Sequence, residues 1–283
     1  MAESPCPYNA REGIWWRKVK RAQFHLREIH LEAQRYAAEE PYRVVRVIRR
    51  SKKKGNQWIY RLEMTSEPSP MLNIVIGEFL YCLRSALDNV VVACAPRANR
   101  ANVSFPVDFQ NIWAIDESGE YVIRDDDARK RFTSMTDGLP DGVVAIVKTL
   151  QPYHLGRDGM LSAIGVISRL NNADKHRGVL THGPGGIGSH LIVSARGLTT
   201  LIQFTPVGNF AEDGTEFPPF TLPYDPPLRP SEVNVQLHAS AVIAIQVPGA
   251  GSGKPSPMKL FGLVNCLNET RSALRQIEPY ALA

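Results

Sequence analysis

Apolar positions along this chain recur with two periods, one helical and one extended. In residues 15–40, Trp15, Val19, Ala22, Leu26, Ile29, Ala33 and Tyr36 return at spacings of three and four, with no Pro or Gly among them. That pattern predicts an amphipathic helix, and Pro41 ends it. Residues 71–94 are apolar on most faces, which predicts a central, largely buried helix. Its polar residues Glu78, Arg84, Asp88 and Asn89 therefore need partners, and Arg84 and Asp88, four apart, can pair with each other. A third helix is predicted over 159–177 with Gly178 as its C-terminal cap, and a fourth over 258–277.

The extended period appears first in "YRVVRVIRR", "SKKKGN" and "QWIYRLEM", a basic hairpin around a Gly55-Asn56 turn. Strands are predicted at 189–195 and 199–205. "SEVNVQLHASAVIAIQV" follows, with Val233, Val235 and Leu237 alternating against Asn234, Gln236 and His238. "DDDARKRFTSM" reads as a short helix, "DGVVAIVKTLQPY" as a short helix or strand, and "PGAGSGKPSP" as a flexible link. The expected fold is α+β. One compact unit spans 1–283, with a four-helix core and antiparallel β insertions at about 42–65 and 187–248 that form a separate layer or lobe.

Composition adds a compartment and a partner class. The 283 residues are 43% hydrophobic and 22% charged, ordinary for a folded soluble protein. No apolar run reaches the roughly 18 residues of a membrane helix, and the first residues lack a secretion-signal pattern. Cys6, Cys82, Cys94 and Cys266 are scattered without a C-x-x-C, so neither a zinc knuckle nor a redox pair is supported. A cytoplasmic protein without metal or other cofactor is expected. The net charge of +5 is uneven: residues 1–70 hold 15 Lys and Arg against 8 Asp and Glu. Arg49, Arg50, Lys52, Lys53 and Lys54 crowd the hairpin tip and suit RNA or another polyanion, with Trp58 and Tyr60 available for base stacking. Alternatively the tip is a solvated surface whose aromatics pack on the first helix.

Familiar site motifs fail on order or spacing. "GPGGIGSH" lacks the Lys-Ser/Thr of a phosphate-cradling loop, and Gly253-Lys254 is followed by Pro255 where a magnesium-binding hydroxyl belongs. His25 and His30 lie five apart, off a common helical face. "DDD" at 125–127 points its carboxylates in different directions and fits a solvated helix start.

The densest chemistry is "SRLNNADKHRG", 168–178. On a helix, Arg169, Asn172, Ala173 and His176 share a face, with Asn171, Asp174 and Lys175 offset and Arg177 further round. That face carries the parts for metal-free cleavage of an RNA backbone. His176 would move the proton, Arg169 would hold the phosphate oxygens and Asn172 would orient them. Cations in the last turn also favour the helix dipole, so a purely structural reading stands beside the chemical one. Arg84, Asp88, Asp174, Lys175 and Arg177 are expected to support the site, through a direct bond from Asp88 to Arg177, Lys175 or His176.

Two resemblances rest on these segments. Gly77, Leu83, Arg84, Leu87 and Asp88, with Asn172, Asp174, Lys175, His176 and Arg177, resemble a family of uncharacterised bacterial and phage proteins. That family carries a G-D-x-x-H-x-L-R-x-x-L-D-H helix and a later N-x-D-K-H-R segment. Glu78, Tyr81 and Asn89 stand where the pattern has Asp, His and His, so any role of those histidines is absent or altered here. Arg169 and His176 also fit R-x6-H, which resembles the HEPN superfamily of helical proteins, although Leu170 replaces its usual polar residue. The HEPN resemblance implies a metal-independent ribonuclease acting as a homodimer, in phage defence or a toxin–antitoxin pair. A non-catalytic nucleic-acid-binding module and a structural or assembly protein remain the alternatives.

Overall fold

The computed structural model describes residues 13–51, 55–107, 113–115, 121–123, 126–152, 154, 162–177, 181–182, 189–195, 198–204, 214, 216, 233–238, 243–248 and 256–281. The first helix, α1, is Ile14–Ala38 and turns Trp15, Val19, Ala22, Ile29 and Tyr36 inward, the stripe its spacing predicts. Strands β1 (Tyr42–Ser51) and β2 (Gly55–Met64) follow as an antiparallel hairpin, in register from Tyr42 opposite Met64 to Ser51 opposite Gly55.

Helix α2, Pro70–Cys94, is the centre of the molecule. Ser69 caps it by accepting a hydrogen bond from the Met71 N–H, and Pro70 occupies the first turn, where its missing N–H costs nothing. Phe79, Leu80, Leu83, Ala86, Leu87, Val90 and Val91 are fully buried. Its apolar faces are covered by α1, by α5 (Ala163–Arg177) and by α6 (Phe261–Ala281), and α6 also packs on α1 and α5. The four long helices thus share one core, as their amphipathic faces require.

Helix α5 starts at Ala163, later than the expected 159, because the Ser162 hydroxyl accepts from the Gly165 N–H and caps it there. Two shorter helices, α3 (Asp126–Met135) and α4 (Asp141–Thr149), resolve the ambiguous segments as helical.

The remaining strands are β3 (Trp113–Ile115), β4 (Tyr121–Ile123), β5 (Thr181–His182), β6 (Ser189–Ala195), β7 (Leu198–Phe204), β8 (Val233–His238), β9 (Ala244–Val247) and β10 (Ser256–Lys259). Among the described residues they make antiparallel sheets β3-β4, β7-β6-β8 and β10-β9-β5, besides the first hairpin. Three expectations change here. The alternating run 231–247 divides between two sheets, β8 joining β6 and β9 joining β5 and β10. Strand β10, Ser256–Lys259, takes the end of the expected link at 256–257 and the expected first residues of the last helix at 258–259, so α6 begins only at Phe261. Nor are the strands all separate from the helical core: Ile243, Ile245 and Val247 are buried in it. A continuous apolar run signals burial on both faces, and "AVIAI" at 241–245 is such a run.

Candidate functional site

Helices α2 and α5 meet closely at Gly77. A Cβ added there would come within 2.5 Å of the Asp174 Oδ2, so the missing side chain of Gly77 makes room for the Asp174 carboxylate against the α2 backbone. The same two helices line a polar cleft of about 400 Å³. Its walls are two stripes of identical spacing, Tyr81, Arg84, Ser85 and Asp88 on α2 and Ser168, Asn171, Asn172 and Lys175 on α5. Each runs i, i+3, i+4, i+7 and so forms one helical face. Val107 and Met135 complete the lining.

The α2 stripe is held rigidly. The Arg84 Nε donates to Asp88 Oδ2 at 3.1 Å, and its Nη2 lies 3.0 Å from Asp88 Oδ1. The pair also clamps the backbone of buried Phe105: Arg84 Nη2 donates to the Phe105 carbonyl at 2.6 Å, and the Phe105 N–H donates to Asp88 Oδ1 at 3.0 Å. The adjoining Pro106 carbonyl accepts from the Gln151 side chain at 3.0 Å, which anchors the segment that brings Val107 to the cleft. Asp88 thus bonds Arg84 and Phe105. The expected direct bond from Asp88 to Lys175 does not form, and its counterparts to His176 and Arg177 involve side chains outside the described residues.

The α5 stripe is freer. Among the described residues, the side chains of Asn171, Asn172 and Lys175 make no hydrogen bond or ion pair, and Asn172 and Lys175 are exposed. Asn172 and Lys175 therefore share a site with Arg84 and Asp88, as the sequence suggests. Arg169 does not line it. That side chain is 8% exposed, its Nη1 donates to the Pro248 carbonyl at 3.1 Å, and burial lowers the guanidinium pKa. One residue along a helix turns the side chain by about 100°, and α5 presents the Ser168 stripe to the cleft while Arg169 turns to the chain leaving β9. The backbone of His176 and Arg177 closes α5, and their side chains lie outside the described residues.

Within the hairpin, Arg49 stands opposite Gln57, Arg50 opposite Asn56, Trp58 opposite Ile48 and Tyr60 opposite Arg46. The side chains of these four expected nucleic-acid contacts, and Lys52, Lys53 and Lys54 entirely, fall outside the described residues. Near its open end, the hydrogen bond from Arg61, with Arg43 adding to it, holds the Glu63 carboxyl below the usual range. Some of the hairpin's basic excess is therefore neutralised internally.

A second concavity, about 740 Å³, lies along α1 and the start of α6. Leu26, Ile29, Leu31, Leu260, Phe261, Val264 and Leu267 make it mostly apolar, with Gln23, Arg27 and His30 on its α1 side. Elsewhere the described residues offer little chemistry. Burial pushes the thiols of Cys82, Cys94 and Cys266 up, the last two to about 11 and about 12, so none is a ready nucleophile at neutral pH. Among the described residues no group of three His, Cys, Asp or Glu is placed to hold a metal ion, and no helix is long and apolar enough to cross a membrane.

Tyr81, Ser85, Ser168 and Asn171 were not singled out by sequence as site residues. The repeated i, i+3, i+4, i+7 polar pattern on two apolar helices is the signal that would have found them. Compared with known proteins, the chain matches no protein-family model, no curated protein and no solved structure.

Proposed function

We propose that this protein binds RNA through the cleft between α2 and α5. The observation that carries this reading is the distribution of partners in the cleft. Asp88, its one carboxylate, is engaged with Arg84 and the Phe105 N–H. Lys175, Asn171 and Asn172 meanwhile present donors without a protein partner among the described residues. Two cations with carboxamides and hydroxyls suit a phosphodiester: the cations meet the phosphate oxygens, and the amides and serines meet sugar or base edges. A HEPN-like origin of the helical core belongs to this proposal, as does the basic hairpin as a second contact along the strand.

A metal-independent endoribonuclease is the second reading. The favouring observation is that Asn172, exposed in the cleft wall, stands one helical turn before His176. Arg84 or Lys175 would then hold the phosphate in place of Arg169, whose guanidinium is tied to Pro248. The test is fluorescence anisotropy with labelled RNA across a salt series, alongside cleavage in chelator. Lys175→Gln is expected to weaken binding several-fold and to flatten the log–log salt slope by about 0.7, the share of one single-strand phosphate contact. Absence of RNA binding at low salt, or an unchanged Lys175→Gln protein, rejects the proposal. Cleavage lost in His176→Ala with binding retained selects the nuclease reading.

A further inference from the structure

Tyr81 is the unusual residue of the cleft. It is 53% exposed on the most buried helix of the molecule, and its neighbours Leu80, Cys82 and Leu83 all face the core. The Lys18 ammonium of α1 lies 5.2 Å from the centroid of its ring, a cation–π contact that restrains the phenol at the lip. Among the described residues no carboxylate pairs with that ammonium. Glu28 and Glu78 both converge on the buried His25, whose Nδ1 is 2.9 Å from Glu28 Oε2 and 3.5 Å from Glu78 Oε2. The outcome is an aromatic ring with the Lys18 ammonium over one face, in a cleft lining that also carries Arg84 and Lys175.

We infer that Tyr81 is a stacking platform for one unpaired base, so that the site takes single-stranded RNA in preference to duplex. This rests on the RNA-binding reading and adds its specificity. A base lying on the ring face that Lys18 leaves open has a phosphate on either side, and Lys18 at the ring with Arg84 and Lys175 in the same cleft lining are the cations to meet them. Bases within a duplex stack on each other and offer no face to a lone ring. The cleft's volume, about 400 Å³, falls at the small end of ligand sites, ~300–1,000 Å³, a scale suited to a nucleotide and not to a double helix. Asn171 and Asn172 would meet the edge of the inserted base, since a carboxamide carries both a donor and an acceptor.

The experiment compares a labelled single-stranded 10-mer RNA with the same sequence as a duplex, for the parent protein, Tyr81→Phe, Tyr81→Leu and Tyr81→Ala. Single-strand binding tighter than duplex binding is expected. Losses of about tenfold in Tyr81→Leu and Tyr81→Ala, but under about threefold in Tyr81→Phe, should follow from removing one base–aromatic stack. The salt slope should not change, because no phosphate contact is removed. Thermal melting should be nearly the same in all four proteins, since the ring is half exposed. If the parent binds RNA but Tyr81→Leu binds equally well, or if duplex binds as tightly as single strand, the stacking inference fails and RNA binding stands. If the parent binds neither RNA, both fall together.

Discussion

The two concavities flank the same bundle and differ in kind. The α1–α6 groove is the larger, about 740 Å³ against about 400 Å³, and is floored by leucine, isoleucine and valine. The α2–α5 cleft is smaller, and its walls carry the hydroxyl, amide and charged groups of two matched stripes. Size alone would point to the groove. Orienting a ligand needs convergent polar groups held in place, and those lie in the cleft, where the Arg84–Asp88 pair is fixed on the Phe105 backbone. The lesson is that on one scaffold, apolar area and chemical address can be assigned to different helix pairs.

Substitutions can break this contrast. The largest effect is expected from the groove floor. Leu267 is 5% exposed, and Leu267→Ala should destabilise the fold by about 2–4 kcal/mol in urea unfolding while leaving the proposed RNA affinity intact. A loss of RNA binding in the folded variant would mean that groove and cleft are coupled. Next comes Asp88→Ala, which deprives the Phe105 N–H of its acceptor and leaves Arg84 only the Phe105 carbonyl. A cost of about 1–3 kcal/mol is expected. Wild-type stability in that protein would show the clamp to be incidental. The smallest effect belongs to Leu31→Ser at the groove's exposed edge, where Leu31 is 52% exposed and stability should move by no more than about 0.5 kcal/mol. A change in the oligomeric state of that variant, read by light scattering, would give the groove a function that the comparison denies it.

The long helices were legible because each buries a stripe, and stripes are written in the spacing of single residues such as Val19, Ala22 and Ile29. Half of the site was legible for a related reason: Arg84, Asp88 and Lys175 are polar groups on helices that had to pack, so they needed one another or a ligand. Arg169 was the harder case. Its spacing to Asn172 puts it near the same face, yet the choice between the Ser168 stripe and the Arg169 stripe is made by what α5 packs against. Pro248 lies 79 residues away in sequence, and no local pattern announces a bond to its carbonyl. Strand β10 was missed for the same reason. "SPMK" carries no strand period and is extended because β9 offers it an edge. The matched stripes are harder to read because Tyr81 and Ser168 are uncharged, and such positions become walls of a cleft only once the two helices pack.

One clasp has a consequence for how the molecule is made. The indole N–H groups of Trp15 and Trp16 both donate to Glu278 Oε1, at 3.2 and 2.7 Å, across more than 260 residues of chain. Helix α6 also covers part of α2, the most apolar helix of the core. On the ribosome, α1 and α2 emerge long before α6, so until α6 follows, α2 has one flank in water. Closure is a late, long-range step, slowed by the entropy of bringing distant segments together. Nascent chains halted before α6 should therefore be held by chaperones, and release should come when α6 arrives and the two tryptophans find their shared carboxylate.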